Sequence, residues 1–353
     1  MIIIKMKSLI TALFLFLIFA TGFGQQSMLF NSEEPINIEL AGDMKALMND
    51  RGDDPQYHDF ILSYHEGQEF QIPIRLKTRG HFRKMRANCK YPPILLNFDY
   101  PETPDNSIFF GQNKLKLVTP CSGDEFVINE YLVYKLYNLI SEMGFKARPI
   151  GLSFNDSNKD KISGPFFAFV IEEEEQMALR NHSITRELQG LRPESTQRED
   201  FIKMAVFQYM IGNTDWSVQY QQNIKLIATD SSSLPTAVPY DFDHAGIVRA
   251  PYAKPAPELK LRNTLQRRYR GYCIPDMTQY AEAFKTFNEL KEDFYAVYNS
   301  NSLISSTYKE QTIKFLDDFY EIINDPEKAE VAFTYPCDKS GTGNVVIKGL
   351  KKH

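Results

Sequence analysis

Four side chains in the second half of the chain have the types and the order of a phosphoryl-transfer site. Asp215 lies in the loop sequence Asn213-Thr214-Asp215-Trp216-Ser217, directly after an apolar helical stretch. Asn223 follows eight residues later, and Asp241 and Asp243 stand in Val238-Pro239-Tyr240-Asp241-Phe242-Asp243-His244. Residues two apart on an extended strand share a face, so Asp241 and Asp243 point the same way. Hard oxygen donors converging across a hairpin suit a small divalent cation such as Mg²⁺. Transfer of a phosphoryl group needs one loop carboxylate to orient the acceptor hydroxyl. It then needs an Asn and a further Asp to hold metal on the phosphates. The order Asp, Asn, Asp on loop, strand and strand meets that need. A DxD pair by itself is common and usually makes loop hydrogen bonds. The combined order after a buried helix is what points to chemistry.

The phosphates also need cations. Lys114 and Lys116 alternate on one face of Lys114–Val118 (KLKLV), and Glu125 and Glu130 lie on the helix that follows. A lysine braced by a helix glutamate is the arrangement that steadies phosphates, and Lys116 with Glu130 is the expected pair. Arg79-Gly80-His81 forms a tight turn that could cover phosphates, although glycine-rich cradles normally carry more glycine. Glu172 closes a strand and is placed to line the same cleft. Arg262, Arg267, Arg268 and Arg270 form a basic cluster in LRNTLQRRYRGYC that could face phosphates or an acidic acceptor.

These residues must be positioned by two kinds of structure. Strands are expected at Phe70–Leu76, Tyr91–Phe98, Lys114–Val118, Ala147–Phe154 and Gly164–Ile171, from alternation and turn residues. Asp124–Met143 has apolar residues at helical spacing and closes at Gly144. The stretch Ile36–Met48 reads as either helix or strand. After about Ser195 the pattern turns helical, with Thr196–Ile211 and most of Asp276–Ile323, interrupted by a hairpin of Asn223–Ala228 and Ala237–Phe242. The expected fold class is therefore α+β in two lobes, a sheet plus one helix followed by a mainly helical lobe. The boundaries are a leader at 1–24, an N-terminal lobe at 25–175, a C-terminal lobe at 176–340 and a basic tail at 341–353.

In this order of motifs the chain resembles the CotH family of secreted protein-kinase-like proteins. The matching pieces are Arg79-Gly80, Lys114–Val118, Asp124–Met143, Gly164–Glu172, Asp215 and Asp241-Phe242-Asp243, spread over roughly residues 35–325. The resemblance implies an atypical protein-kinase-like fold, binding of ATP with Mg²⁺ or Mn²⁺, and transfer to a protein hydroxyl. Carried over, Asp215 is the catalytic residue. Asn223 with Asp241 or Asp243 binds metal, and the strand before Glu172 faces adenine. The chain departs from ordinary kinases in having no HRD and no DFG triplet. Its Asn lies eight residues after the Asp rather than about five.

Composition bounds the alternatives. The chain has 353 residues, 43% hydrophobic and 13% aromatic, enough to fill a large core. A net charge of −5 argues against a global electrostatic grip on nucleic acid. Met1–Gly24 reads as a secretory signal peptide, with Lys5 and Lys7 before an apolar run and small residues after it. Its removal takes the net charge to −7. Four cysteines in an exported chain suggest two disulfides, and Cys89–Cys121 with Cys273–Cys337 is preferred among three pairings on loop-closure grounds. Metal-ligand spacing is absent among the cysteines and the six histidines are scattered, so zinc is not supported. Neither HExxH, Gly-x-Ser-x-Gly nor a Ser-His-Asp arrangement is visible. Two expectations follow. One is an exported kinase, in periplasm, envelope or medium, acting on Ser or Thr of a secreted or envelope protein. The other is a catalytically silent binding protein on the same fold.

Overall fold

A computed structural model describes residues 28–98, 102–159 and 161–339; the leader at 1–24 and the tail at 341–353 lie outside the described residues. The chain opens with β1 (Ile36–Gly42), α1 (Met44–Asn49), β2 (His58–Glu66), β3 (Gln68–Thr78), β4 (Ile94–Phe98), β5 (Lys114–Val118), α2 (Asp124–Ile140), β6 (Ala147–Asp156) and β7 (Lys161–Ile171). The seven strands close into a barrel in the order β1-β2-β3-β4-β5-β7-β6. All neighbours are antiparallel except β1 and β6, which pair in parallel from Ile36 opposite Ile150 to Gly42 opposite Asp156.

Period-two alternation builds this barrel. In β3, Phe70, Ile72, Ile74 and Leu76 are buried while Gln71, Pro73 and Arg75 are exposed. The inward residues of all seven strands make one apolar interior that includes Leu40, Leu62, Ile72, Leu96, Leu115, Leu117 and Leu152. The expected sheet-plus-helix plan is corrected in one respect, because the sheet is closed. Two strands account for this. The ambiguous Ile36–Met48 stretch is a strand followed by a short helix. His58–Glu66, unmarked in the sequence reading, is a strand whose Phe60, Leu62 and Tyr64 face inward. Closure leaves no exposed edge in the barrel.

The rest of the chain supplies α3 (Glu174–Arg180), β8 (Ile184–Arg186), α4 (Arg198–Met210), β9 (Ile224–Ala228), β10 (Thr236–Pro239), α5 (Ala281–Glu289), α6 (Lys291–Asn299), α7 (Ser306–Ile323) and α8 (Pro326–Phe333). The protein is thus a mixed α+β structure. The acidic run Glu172–Glu175 leads into α3, with Glu173 at its N-cap and Glu174 and Glu175 in its first turn, where the helix dipole favours negative charge. β8, β9 and β10 form a separate three-stranded sheet. α4 is buried on all sides from Phe201 to Met210, apart from Lys203. α7 is capped by the Ser305 hydroxyl, and α8 by Asp325 with Pro326 at its first position.

A second core runs through the helical half and includes α2, whose Val127, Tyr131, Leu132, Tyr134 and Leu136 pack with residues of α4, α6 and α7 rather than with the barrel interior. Both disulfides have the preferred pairing, Cys89–Cys121 and Cys273–Cys337. Among the described residues no helix is long and apolar enough to cross a membrane.

Candidate active site

The loop after α4, the loop after β10, the start of α2, β5 and the loop from β3 to β4 surround one cleft of about 320 Å³. Asp215, Asn223, Asp241, Asp243, Lys116, Glu130, Arg79 and Gly80 all line it. Among the expected site residues Glu172 does not. It is buried, its carboxylate takes two hydrogen bonds from Arg180 at 2.8 and 3.0 Å, and it accepts the Lys146 backbone N–H at 3.0 Å. Glu172 is corrected from a cleft residue to a brace between the end of β7 and α3. The neighbouring Ile171 is the residue of this strand that reaches the cleft.

Asp215 is held by its own loop. Its backbone N–H donates to Asn213 Oδ1 at 3.0 Å. Asn223 Nδ2 donates both to the Asp215 carbonyl at 2.8 Å and to Asp215 Oδ2 at 3.2 Å. Asn223 reaches back because its φ is +52°, a left-handed conformation that Asn tolerates. The eight-residue spacing therefore still brings the pair into contact, and it spends the amide nitrogen on Asp215. Burial raises the Asp215 pKa, with Asp241 adding to it and His244 and Arg270 opposing it.

The two later aspartates sit on a strained loop. Asp241 has φ +61°, and its N–H donates to the Tyr134 hydroxyl of α2 at 2.9 Å. Phe242 between them packs edge-on against Tyr134 at 4.8 Å and against Phe207 of α4 at 5.8 Å. Asp243 Oδ2 accepts from Tyr252 Oη at 3.1 Å. Burial raises the pKa of Asp241, and the charge of Asp243 raises it further; Arg79, Arg83 and His244 work the other way.

The expected Lys116–Glu130 pair is replaced. Glu130, 2% exposed, meets Arg83 Nη1 at 3.5 Å, and the same atom lies 4.0 Å from Asp243 Oδ2. Arg83 also donates to the Thr119 carbonyl. Burial and the nearby Asp243 push the Glu130 pKa well up even with Arg83 beside it. For Arg83 burial opposes the charge, but Tyr252, Glu130 and the aspartates hold its pKa above the ordinary arginine value. Two carboxyl groups, those of Glu130 and Asp243, thus share one guanidinium. Lys116 makes no ion pair within 4.0 Å among the described residues; its Nζ lies 4.5 Å over the Tyr240 ring. Burial first, then Arg79 and Lys225, lower its pKa to about 8.

Arg83 is the main residue the sequence reading missed. It lies four residues after Arg79 in Arg79-Gly80-His81-Phe82-Arg83, so the density of cations in that turn was the available signal. The loop that carries it is pinned at its far end. Cys89 is joined to Cys121, three residues before α2, and Arg51 donates to the carbonyls of Cys89 and Lys90. Gly80 has φ +79° with open space where a Cβ would project, so backbone conformation selects glycine there. Phe82 caps this side of the cleft against His244 and Tyr252.

No protein-family model matches the chain, and no curated protein matches it. Among solved structures it is similar to the crystal structure of a Helicobacter pylori proinflammatory kinase, CtkA, with 11% sequence identity and a TM-score of 0.42, over 73% of this chain and 95% of that one. That likeness is too distant to assign a family, and the CotH resemblance stands on motif order alone.

Proposed function

We propose that the protein is an exported kinase-like phosphotransferase that moves the γ-phosphoryl group of ATP to a Ser or Thr hydroxyl of a secreted or envelope protein. One observation carries the reading: Asp215, Asn223, Asp241 and Asp243, distant in sequence, converge on one cleft that also holds Lys116 and Arg79. In this reading Asp215 accepts the proton of the acceptor hydroxyl as its oxygen bonds to phosphorus and the bond to the β-phosphate oxygen breaks, releasing ADP. The raised Asp215 pKa makes it a better base than a solvated aspartate. Asn223 orients that carboxylate. Lys116 and Arg79 face the phosphates.

The residues present fit a hard divalent cation. Asp243 is buried and Asp241 partly so; the charge of Asp243 adds to the cost of ionising Asp241, and Arg79, Arg83 and His244 offset it only in part. Among the described residues no three His, Cys, Asp or Glu side chains cluster as a cage, so phosphate and water would complete the shell around Asp241, Asp243 and Asn223 Oδ1, as Mg²⁺ prefers. Bound Mg²⁺ would supply charge against the phosphates. Glu130 supports Arg83 instead of Lys116, so the ion pair joins α2 to the loop after β3.

Thermal unfolding with ATP and Mg²⁺, singly and together, tests this. A ligand at about 100 times its Kd adds roughly 2.7 kcal/mol, a shift of some degrees. The expected shift requires both components and disappears in the double variant Asp241→Ala with Asp243→Ala. No shift at millimolar nucleotide would defeat the reading. It would favour the silent binding protein, for which the Arg83 bridge between Glu130 and Asp243 speaks, since it partly neutralises the acidic cluster without metal.

A further inference from the structure

Cations lie over aromatic rings at several places in this protein, and one of those contacts is unlike the rest. In the basic cluster, Arg267 stacks on the Phe315 ring at 3.7 Å, and Arg268 lies over the Tyr335 ring at 4.1 Å. Both also spend N–H donors on the protein. Arg267 donates to the carbonyls of Met210 and Phe315, and Arg268 donates to the Tyr335 hydroxyl at 2.6 Å. Neither lines the cleft. Lys116 differs on both counts. Its Nζ sits 4.5 Å over the Tyr240 ring and makes no hydrogen bond or ion pair among the described residues. The side chain is half-buried and lines the cleft together with Tyr240.

The ring is a fixed object. Tyr240 directly follows β10, and its backbone N–H donates to the Asn223 carbonyl at 3.1 Å. Its ring packs against buried Phe145 at 5.7 Å. The next N–H, that of Asp241, donates to the Tyr134 hydroxyl at 2.9 Å. Lys116 reaches this ring from the barrel, on β5. Burial and the charges of Arg79 and Lys225 work against its ammonium form. The helix carboxylate that would ordinarily hold such a lysine is spent, since Glu130 meets Arg83 at 3.5 Å. A tyrosine face attracts an ammonium electrostatically, and the attraction grows as water is excluded. An ammonium has three N–H donors and needs no acceptor. One side of it can keep the ring while the other reaches an anion, so ring and phosphate do not compete.

We propose that Tyr240 is the positioning residue for Lys116, holding its ammonium by the ring face in the place of a helix glutamate, so that the unspent N–H donors meet the phosphates of the nucleotide. The assignment deepens the phosphotransfer reading and rests on it for the word phosphates. The brace itself needs no nucleotide. It ties the cation to the segment that carries Asp241, the very next residue, and not to α2. One short stretch of chain then sets both the lysine and a carboxylate of the metal pair.

The ring current of Tyr240 reports this contact directly. The lysines of the purified protein are reductively methylated with isotope-labelled formaldehyde, which keeps their charge, and the Lys116 resonance is identified by its loss in Lys116→Arg. A methylated ammonium over a ring face resonates upfield of a solvated one. The upfield shift is expected in the wild type without nucleotide, retained in Tyr240→Phe and abolished in Tyr240→Leu. ATP with Mg²⁺ is expected to leave it in place. Tyr240→Leu is expected to weaken ATP–Mg²⁺ binding about tenfold, and Tyr240→Phe to hold it within about twofold, because the ring face and not the hydroxyl carries the attraction. Should Tyr240→Leu not fold, the wild-type resonance and its persistence with ATP still decide. The proposal falls if the wild-type resonance is unshifted, if ATP with Mg²⁺ releases it, if the shift survives in Tyr240→Leu, or if Tyr240→Phe weakens binding as much as Tyr240→Leu. Thermal unfolding with ATP and Mg²⁺ on the same samples reports the phosphotransfer reading separately. A shifted Lys116 resonance without any nucleotide response would remove the kinase while leaving the brace.

Discussion

At the scale of single residues the cleft is an imbalance of charge, and its consequences can be measured. Glu130 and Asp243 lie within 4.0 Å of Arg83, and Asp241 feels its charge together with that of Arg79. Removing it with Arg83→Met leaves buried carboxylates unpaired, which should cost about 3–5 kcal/mol in denaturant unfolding at neutral pH. Because burial holds the Glu130 and Asp241 pKa values above the ordinary range, mild acidification should protonate them and shrink that loss. A loss that did not change with pH would show the damage to be one of packing. Lys116 gives a second titration. Its pKa of about 8 means that it is a cation at pH 7 and mostly neutral at pH 9. Nucleotide affinity should therefore fall as pH rises through 8, and Lys116→Arg should flatten the dependence, since arginine stays charged. Asp215→Asn should lower transfer by about 10²–10⁴-fold with ATP stabilisation intact, the range for loss of a general base. Phosphorylation of the acceptor at an undiminished rate would remove Asp215 from that role.

At the scale of elements, much of the positioning framework was legible and some of the pairing was not. α2 and α4 announce themselves by apolar residues at helical spacing, and β3, β5 and β7 by alternation or short apolar runs. β2 escaped although Gly52, Asp53, Asp54 and Pro55 mark a turn before it, because the outward Ile61 between Phe60 and Leu62 blurs the alternation. Closure of the sheet is a long-range property that no local window contains. The order of Asp215, Asn223, Asp241 and Asp243 could be read because each lies on a loop or strand end within one short stretch of chain. The partner of Glu130 could not, because Arg83 arrives from a loop 47 residues away and only the folded barrel sets their separation. That loop yields the prediction at this scale. Cys89→Ser with Cys121→Ser should weaken nucleotide stabilisation disproportionately, because it frees the segment that carries Arg79 and Arg83. Cys273→Ser with Cys337→Ser should lower the unfolding midpoint by an amount typical of disulfides, about 2–5 kcal/mol, and leave the nucleotide response alone. Equal effects of the two pairs on nucleotide binding would contradict this.

At the scale of the whole molecule, two apolar interiors meet at β7, whose Ala168 and Val170 belong to the barrel core and whose Phe169 and Ile171 belong to the core that α2 shares. The barrel encloses its own core, while α2, β7 and the later helices share the other. Tyr134 of α2 hydrogen-bonds Asp241, and Glu130 of α2 meets Arg83, so a single helix touches both walls of the cleft. A rigid-body shift of either half would have to move α2 and would disturb both contacts together. Tyr134→Phe should therefore alter nucleotide affinity although its side chain touches Asp241 only through the backbone; an unchanged affinity would limit α2 to a packing role. The parallel pairing of β1 with β6 has a further consequence, in time rather than in space. Ile36 cannot meet Ile150 until more than a hundred further residues have been made. At about 5–20 residues per second that is a wait on the order of 5–20 s, during which β1 has one side of its backbone unpaired. The newborn chain is thus most prone to mispairing early in its synthesis, and a holding chaperone would have its greatest effect before β6 emerges.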